Sequence, residues 1–174
     1  MIQYFVMLFN GDSDYGYAET VGKKVDDFVL PNNGQVKGWK PLRLKLKEGR
    51  CVDYLGSDLS CRLCSDPLKG ILTSFASPED FIQWLPVQVT DGKVARNYWI
   101  LHFYNSGQAL DKSKTIFAGD FVVKPVFSEY LLVNRHVFSY PMAGELSLFV
   151  SKPVMVAIKA ANCSGIVFSK AAVR

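Results

Sequence analysis

Two stretches of the chain echo each other: Cys64-Ser65-Asp66-Pro67-Leu68-Lys69-Gly70-Ile71-Leu72 and Val150-Ser151-Lys152-Pro153-Val154-Met155-Val156-Ala157-Ile158. Each leaves an apolar run through serine, one charged residue and proline, and continues with apolar residues at helical spacing. A serine oxygen can accept a hydrogen bond from an N–H of the first helical turn that would otherwise lack a partner. Proline fits that turn because its missing N–H costs nothing there. Both stretches therefore predict the same joint, a strand passing directly into a helix. A duplicated domain would require further alignment between the two halves, and none is found. A nucleophilic serine would stand in Gly-x-Ser-x-Gly or beside a base motif, and neither serine does.

Working outward, Leu68, Ile71, Leu72 and Phe75 follow the first joint at helical spacing, and Ser77-Pro78-Glu79-Asp80 resembles a capping box with Asp in place of Glu. Trp84–Val89 and Tyr98–Tyr104 flank Asp91-Gly92 and predict a hairpin. Upstream, Pro41-Leu42-Arg43-Leu44-Lys45-Leu46-Lys47 alternates strictly, the sign of a strand with leucines on one face and cations on the other. Residues 2–9 predict a buried strand, and Pro31-Asn32-Asn33-Gly34 a turn. Phe121–Val126, Leu131–Phe138 and Leu146–Val150 predict further strands. After the second joint, Val154, Ile158 and Ala161 share a helical face, Asn162-Cys163-Ser164-Gly165 ends that helix, and Ile166-Val167-Phe168 forms a last strand. The expected fold class is α+β: a mostly antiparallel sheet with a few short helices, the C-terminal one followed by a final strand.

At 174 residues the chain suits a single domain over 1–174. With 49% hydrophobic and 21% charged residues it is globular and not disordered. Formal charge is +4, with a net of −1 over residues 1–87 and +5 over 88–174. No run is apolar enough for a membrane span. The start, Met1 to Phe9, lacks a basic leader and a cleavage site. It reads as a strand and not a signal peptide, which implies a cytoplasmic chain with reduced cysteines.

Several features bear chemistry. Cys61-Arg62-Leu63-Cys64 is a lone Cys-x-x-Cys, and a structural zinc site needs four ligands. Cys51 and Cys163 could complete it only through the fold. His102 and His136 both lie in strand-like runs, so a small hydrolase would need Cys64 or a serine within hydrogen-bond reach of one of them, in a cleft. Lys40–Arg50 holds five Lys/Arg and one Glu, with Trp39 before it and Tyr54 after it. That arrangement could line a nucleic-acid backbone, although its strict alternation suits a solvated sheet face equally well. No Gly-rich phosphate loop, His-Glu-x-x-His or Asp-x-Asp-x-Asp pattern is present. No catalytic residue, metal or cofactor is expected. For binding a protein, aromatic and arginine residues are favoured anchors, which selects Trp39, Arg43, Tyr54 and Arg62, with Lys45 and Lys47 as steering charges.

Three landmarks carry a resemblance. Leu63-Cys64-Ser65 leads into Leu68-Lys69-Gly70-Ile71-Leu72. Phe81-Ile82-Gln83-Trp84-Leu85-Pro86-Val87 is followed by Tyr98-Trp99-Ile100-Leu101-His102. Phe149-Val150-Ser151, a helix, and Ser164-Gly165-Ile166-Val167-Phe168 close the chain. In order and spacing these resemble the bacterial immunity-protein family numbered eleven of polymorphic toxin systems, whose reference member is a myxobacterial protein. Departures are Cys64 for an aliphatic residue, His102 for Asn and Ser164 for Thr. The resemblance covers 63–174 and leaves 1–62 as a variable β-rich part. It implies a non-enzymatic protein that binds and neutralises a cognate toxin or effector, often the product of an adjacent gene, in a stoichiometric complex. None of the landmarks is a catalytic signature, so no site residue is carried over. The alternatives are a nucleic-acid-binding module on strand 40–50 and a Cys/Ser-His hydrolase. Nucleic acid and membrane are not the expected partners, and oligomeric state stays open.

Overall fold

A computed structural model describes residues 2–12, 14–22, 30–31, 34–105, 109–119, 121–140 and 147–173. Asn32, Asn33 and Leu146 of the expected turn and strand lie outside these residues.

The expected hairpin organises half the molecule. β6 (Ile82–Thr90) and β7 (Ala95–Phe103) pair antiparallel from Ile82↔Phe103 to Thr90↔Ala95. Asp91 shapes their turn by accepting the N–H groups of Lys93 and Val94 at 2.9 and 2.8 Å. Four strands join them: β2 (Tyr17–Thr20), β3 (Leu42–Glu48), β4 (Tyr54–Ser57) and β5 (Leu63–Ser65). The six close into a barrel in the order β2-β3-β6-β7-β5-β4. Four pairings are antiparallel; β3–β6 and β2–β4 are parallel. Inward alternation fills the barrel with Leu44, Leu55, Leu63, Val87, Val89 and Ile100, all buried.

The second layer is an antiparallel sheet, ordered β10-β11-β1-β12, of β10 (Val137–Phe138), β11 (Leu148–Ser151), β1 (Tyr4–Phe9) and β12 (Ile166–Lys170). β1 is apolar along its whole length, and both of its faces are covered over Tyr4–Met7, while Leu8 is exposed. Met7, Phe5 and Phe9 join the core facing the barrel, while Tyr4 and Val6 join an outer cluster with Phe127, Phe138 and Phe149. Helices α1 (Asp66–Phe75) and α2 (Lys152–Ala160) close the space between the layers, with Leu68, Leu72, Val154 and Ile158 wholly or almost wholly buried in it. Ala161, the expected third member of the α2 face, is exposed. A separate ribbon pairs β8 (Ile116–Ala118) with β9 (Phe121–Lys124).

The echoed joints are confirmed, each on its own layer. Ser65 ends β5 and caps α1; Ser151 ends β11 and precedes α2, with nearly the same backbone angles (φ −67°, ψ 166° against φ −73°, ψ 162°). Their side chains differ. Ser65 Oγ accepts from Leu68 N–H at 3.4 Å and donates to Asp53 at 2.6 Å. Ser151 Oγ makes no cap and meets His136 Nδ1 at 2.8 Å. Leu131–Phe138, expected as one strand, is a 3-10 turn over Glu129–Leu132 and then only the short β10. Asn134 takes a left-handed φ of 61°, and the Tyr4 hydroxyl lies 3.1 Å from the carbonyl oxygens of both Leu132 and Arg135, so the segment bends around Tyr4.

Asp53 ties the two helix junctions together. Its carboxylate accepts from Ser65 Oγ, from Ser164 N–H at 2.8 Å and from Ser164 Oγ at 2.9 Å. Burial pushes its pKa up, but these hydrogen bonds outweigh burial and hold it below the ordinary 3.8. A depressed carboxylate stabilises the fold fully above its unfolded pKa, and that contribution is lost as pH falls through the folded value. Asp53→Asn is therefore expected to lower stability at pH 7 by about 2 kcal/mol. The gap from wild type should shrink as acid protonates Asp53, in urea unfolding at pH 7 against the pH range below 3.8.

Candidate partner-binding surfaces

β3 places its cations as its alternation dictates. Arg43, Lys45 and Lys47 project from the outer barrel wall and are exposed. Register sets Arg43 beside Gln88 of β6, and Gln88 beside Asn97 of β7, all three solvent-facing. Lys47 forms an ion pair with Glu19 of β2. Trp39 is half-buried; its Nε1 donates to the Pro86 carbonyl at 2.9 Å and its ring packs on the barrel core. The wall thus brings Trp39, Arg43, Lys45 and Lys47 to one side of the barrel.

Tyr54 and Arg62 are not on that wall or any other surface. Tyr54 is buried between the layers, its ring stacked on Phe9 at 4.1 Å, and burial raises its phenol pKa strongly. Arg62 is also buried. Its guanidinium donates to the carbonyls of Leu101 (3.3 Å) and Ser147 (2.8 Å) and to Ser139 Oγ (3.2 Å), and lies 5.3 Å from the Phe103 ring centre. These two residues hold the layers together, so neither is available as an exposed anchor. With Tyr54 buried and Trp39 half-buried, the rings expected to flank the cationic strand do not stand free upon it.

The groups with catalytic or metal-binding potential are dispersed. All four cysteines are free thiols, and Cys61 and Cys64 are buried. Burial raises the Cys64 thiol pKa strongly and pushes that of Cys163 up to about 11, so neither resembles an activated nucleophile. No group of three or more metal-ligating residues is gathered among the described residues. His102 is buried, with Nε2 3.0 Å from the Gly34 carbonyl. The Ser151–His136 pair satisfies the distance a hydrolase would need. Ser151 is nevertheless wholly buried, and the His136 ring packs against Phe75, so the hydroxyl is not presented in a cleft.

One exposed apolar feature is one that sequence reading missed. Among the described residues, six of the twelve exposed large hydrophobics lie within residues 116–133: Ile116, Phe117, Val123, Tyr130, Leu131 and Val133. Val123 is 63% exposed and Tyr130 84%. β8 and β9 pair only with each other among the described residues. A groove of about 330 Å3 runs beside them, with Val6, Val122, Val123 and Phe149 in its walls and Lys124 and Lys170 as its only ionised side chains among the described residues. Concentrated exposed apolar surface of this kind marks an interaction site. Ile116-Phe117-Ala118-Gly119-Asp120-Phe121-Val122-Val123 did carry a signal, as two short apolar runs around a Gly-Asp turn.

No helix among the described residues is long and apolar enough to cross a membrane. Compared with known proteins, residues 26–173 match the model of the Immunity protein family (Imm11). The match begins well before the landmarks at 63, so the family pattern includes β3 and β4. No curated protein matches the chain.

Proposed function

The chain belongs to the Imm11 immunity protein family, and from that premise we propose that it neutralises a cognate toxin in the cytoplasm by forming a tight stoichiometric complex with it. The toxin is the product of an adjacent gene. The observation that carries the reading is the exposed apolar segment 116–133 on a chain of this family. Phe117, Val123 and Tyr130 are rigid or aromatic anchors of the kind that dominate binding energy. The groove beside β9 accepts an apolar side chain of the toxin, and Lys124 and Lys170 favour a carboxylate next to it.

The barrel wall contributes at longer range. Arg43 and Lys45 are exposed and unpaired with any acid among the described residues, so they act on the approach of a charged partner more than on the final contact. Arg43→Glu with Lys45→Glu is expected to slow association about tenfold at low salt and to leave dissociation nearly unchanged, as measured by stopped-flow mixing. Co-expression tests the reading as a whole. Cells producing the toxin grow only when this chain is present in at least equal amount; growth arrest despite excess chain would contradict it.

A further inference from the structure

The loop after β1 and the outer faces of β2 and β4 enclose a cavity of about 400 Å3, separate from the groove beside β9. Its size is that of a small-ligand site. Phe9, Tyr15, Tyr17 and Tyr54 line it. Tyr17 can lie against the wall because residue 56 is glycine, where an added Cβ would stand 3.3 Å from the ring. Asp12 and Glu48 are also in the lining, which among the described residues includes no lysine or arginine. On a chain of net charge +4, that is a local reversal of sign. Among the described residues the Glu48 carboxylate makes no hydrogen bond or ion pair, though the Lys47 charge acts on it, and the Asp12 carboxylate accepts only the Asp14 N–H, at 3.2 Å. Burial first, then the charges of Asp58, Glu19 and Glu48, push the Tyr17 phenol above its ordinary pKa against the opposing charge of Lys47. The buried Ser57 hydroxyl, also in the lining, has no hydrogen-bond partner among the described residues. One of these rings already holds a cation, the Arg50 guanidinium carbon lying 5.5 Å from the centre of Tyr15.

Ring faces and carboxylates attract the same class of ligand. An anion here would meet the like charges of Asp12 and Glu48 in the lining. We propose that this cavity binds an alkylammonium or guanidinium group, with the ring of Tyr17 against the cation and Glu48 and Asp12 as its counter-charges. The group comes either from a lysine or arginine side chain of the toxin or from a free amine. The binding step itself does not depend on neutralisation.

The test is titration of the full chain with methylguanidinium chloride, followed by the aromatic NMR signals of Tyr17 and Phe9, with methylurea as the neutral probe of the same shape. Methylguanidinium should give saturable shifts and methylurea none. Glu48→Gln should weaken binding at least threefold and Tyr17→Ala at least fivefold, with other signals unmoved. Gly56→Ala, which crowds Tyr17 without altering charge, should weaken it too. Equal response to both probes, or affinity unchanged in Glu48→Gln and Tyr17→Ala, would overturn the proposal even where the chain still neutralises its toxin. The source is read from the preformed complex. If the toxin supplies the cation, methylguanidinium no longer binds there and Glu48→Gln weakens the complex; if a free amine does, methylguanidinium binds as before.

Discussion

Phe117→Ser combined with Val123→Ser is expected to weaken capture of the toxin by roughly a hundredfold or more while the fold persists. Val123 is 63% exposed and Phe117 36%, so the replacement removes little buried surface at Val123 and only the covered part of Phe117. In a complex each would leave water entirely, and anchors of this kind typically contribute about 2 kcal/mol or more apiece; two of them correspond to at least two decades in Kd. Because a two-stranded ribbon has little stability of its own, a second variant separates lost contact from lost ribbon. Tyr130→Ala lies outside the ribbon, in the 3-10 turn, and is 84% exposed. It should weaken the complex by about tenfold with no change in thermal stability. Calorimetric titration reads both effects. Full affinity in the double variant would remove the ribbon from the interface and return attention to the barrel wall.

Arg62→Ala is expected to cost about 3–4 kcal/mol of stability, the largest loss of any single polar substitution considered. The guanidinium spans both layers, from the Leu101 carbonyl on the barrel to Ser139 and the Ser147 carbonyl at the sheet. Truncation strips donors from carbonyls that water cannot easily reach and opens a void over Phe103. For a chain of this length the melting temperature should fall by roughly 10 °C. Arg62→Met, which fills the space without donating, should recover part of the loss. A surface arginine would show neither effect, so a shift below about 2 °C would contradict its structural role.

What could be read in advance follows the range of the interactions. Ser65 with Pro67 starts its helix through atoms within one turn, Pro153 sits in the first turn of the other although Ser151 makes no side-chain cap, and both helices appear where expected. Asp91-Gly92 makes the hairpin in the same local way, and the alternation of Leu42, Leu44 and Leu46 with three cations needs only one buried face. Barrel closure depends on the parallel pairings of β3 with β6 and β2 with β4, which join strands far apart in sequence and leave no local mark. The Leu131–Phe138 segment has the apolar content of a strand, but Asn134 turns the chain left-handed and the Tyr4 hydroxyl gathers its carbonyls.

The candidate site was less legible for a related reason. Aromatics and arginine favour interfaces and also serve in cores, and composition cannot tell the two apart. Arg43 kept its outward place because strand alternation decides it, whereas Tyr54 and Arg62 went inside because two layers meet over them. The exposed ribbon was hidden for the opposite reason. Val122 and Val123 look alike in sequence, yet Val122 packs on the outer cluster and Val123 projects into solvent, since successive strand residues face opposite sides and composition does not say which side is covered.

The most direct measurement is to mix the purified chain with the purified product of the adjacent toxin gene and follow the mixture by size-exclusion chromatography with light scattering, then by calorimetric titration. A single one-to-one species with a Kd in the nanomolar range or tighter, and toxin activity abolished at equivalence, is the result this account predicts. Separate elution of the two proteins, with the toxin fully active in the presence of excess chain, would contradict it.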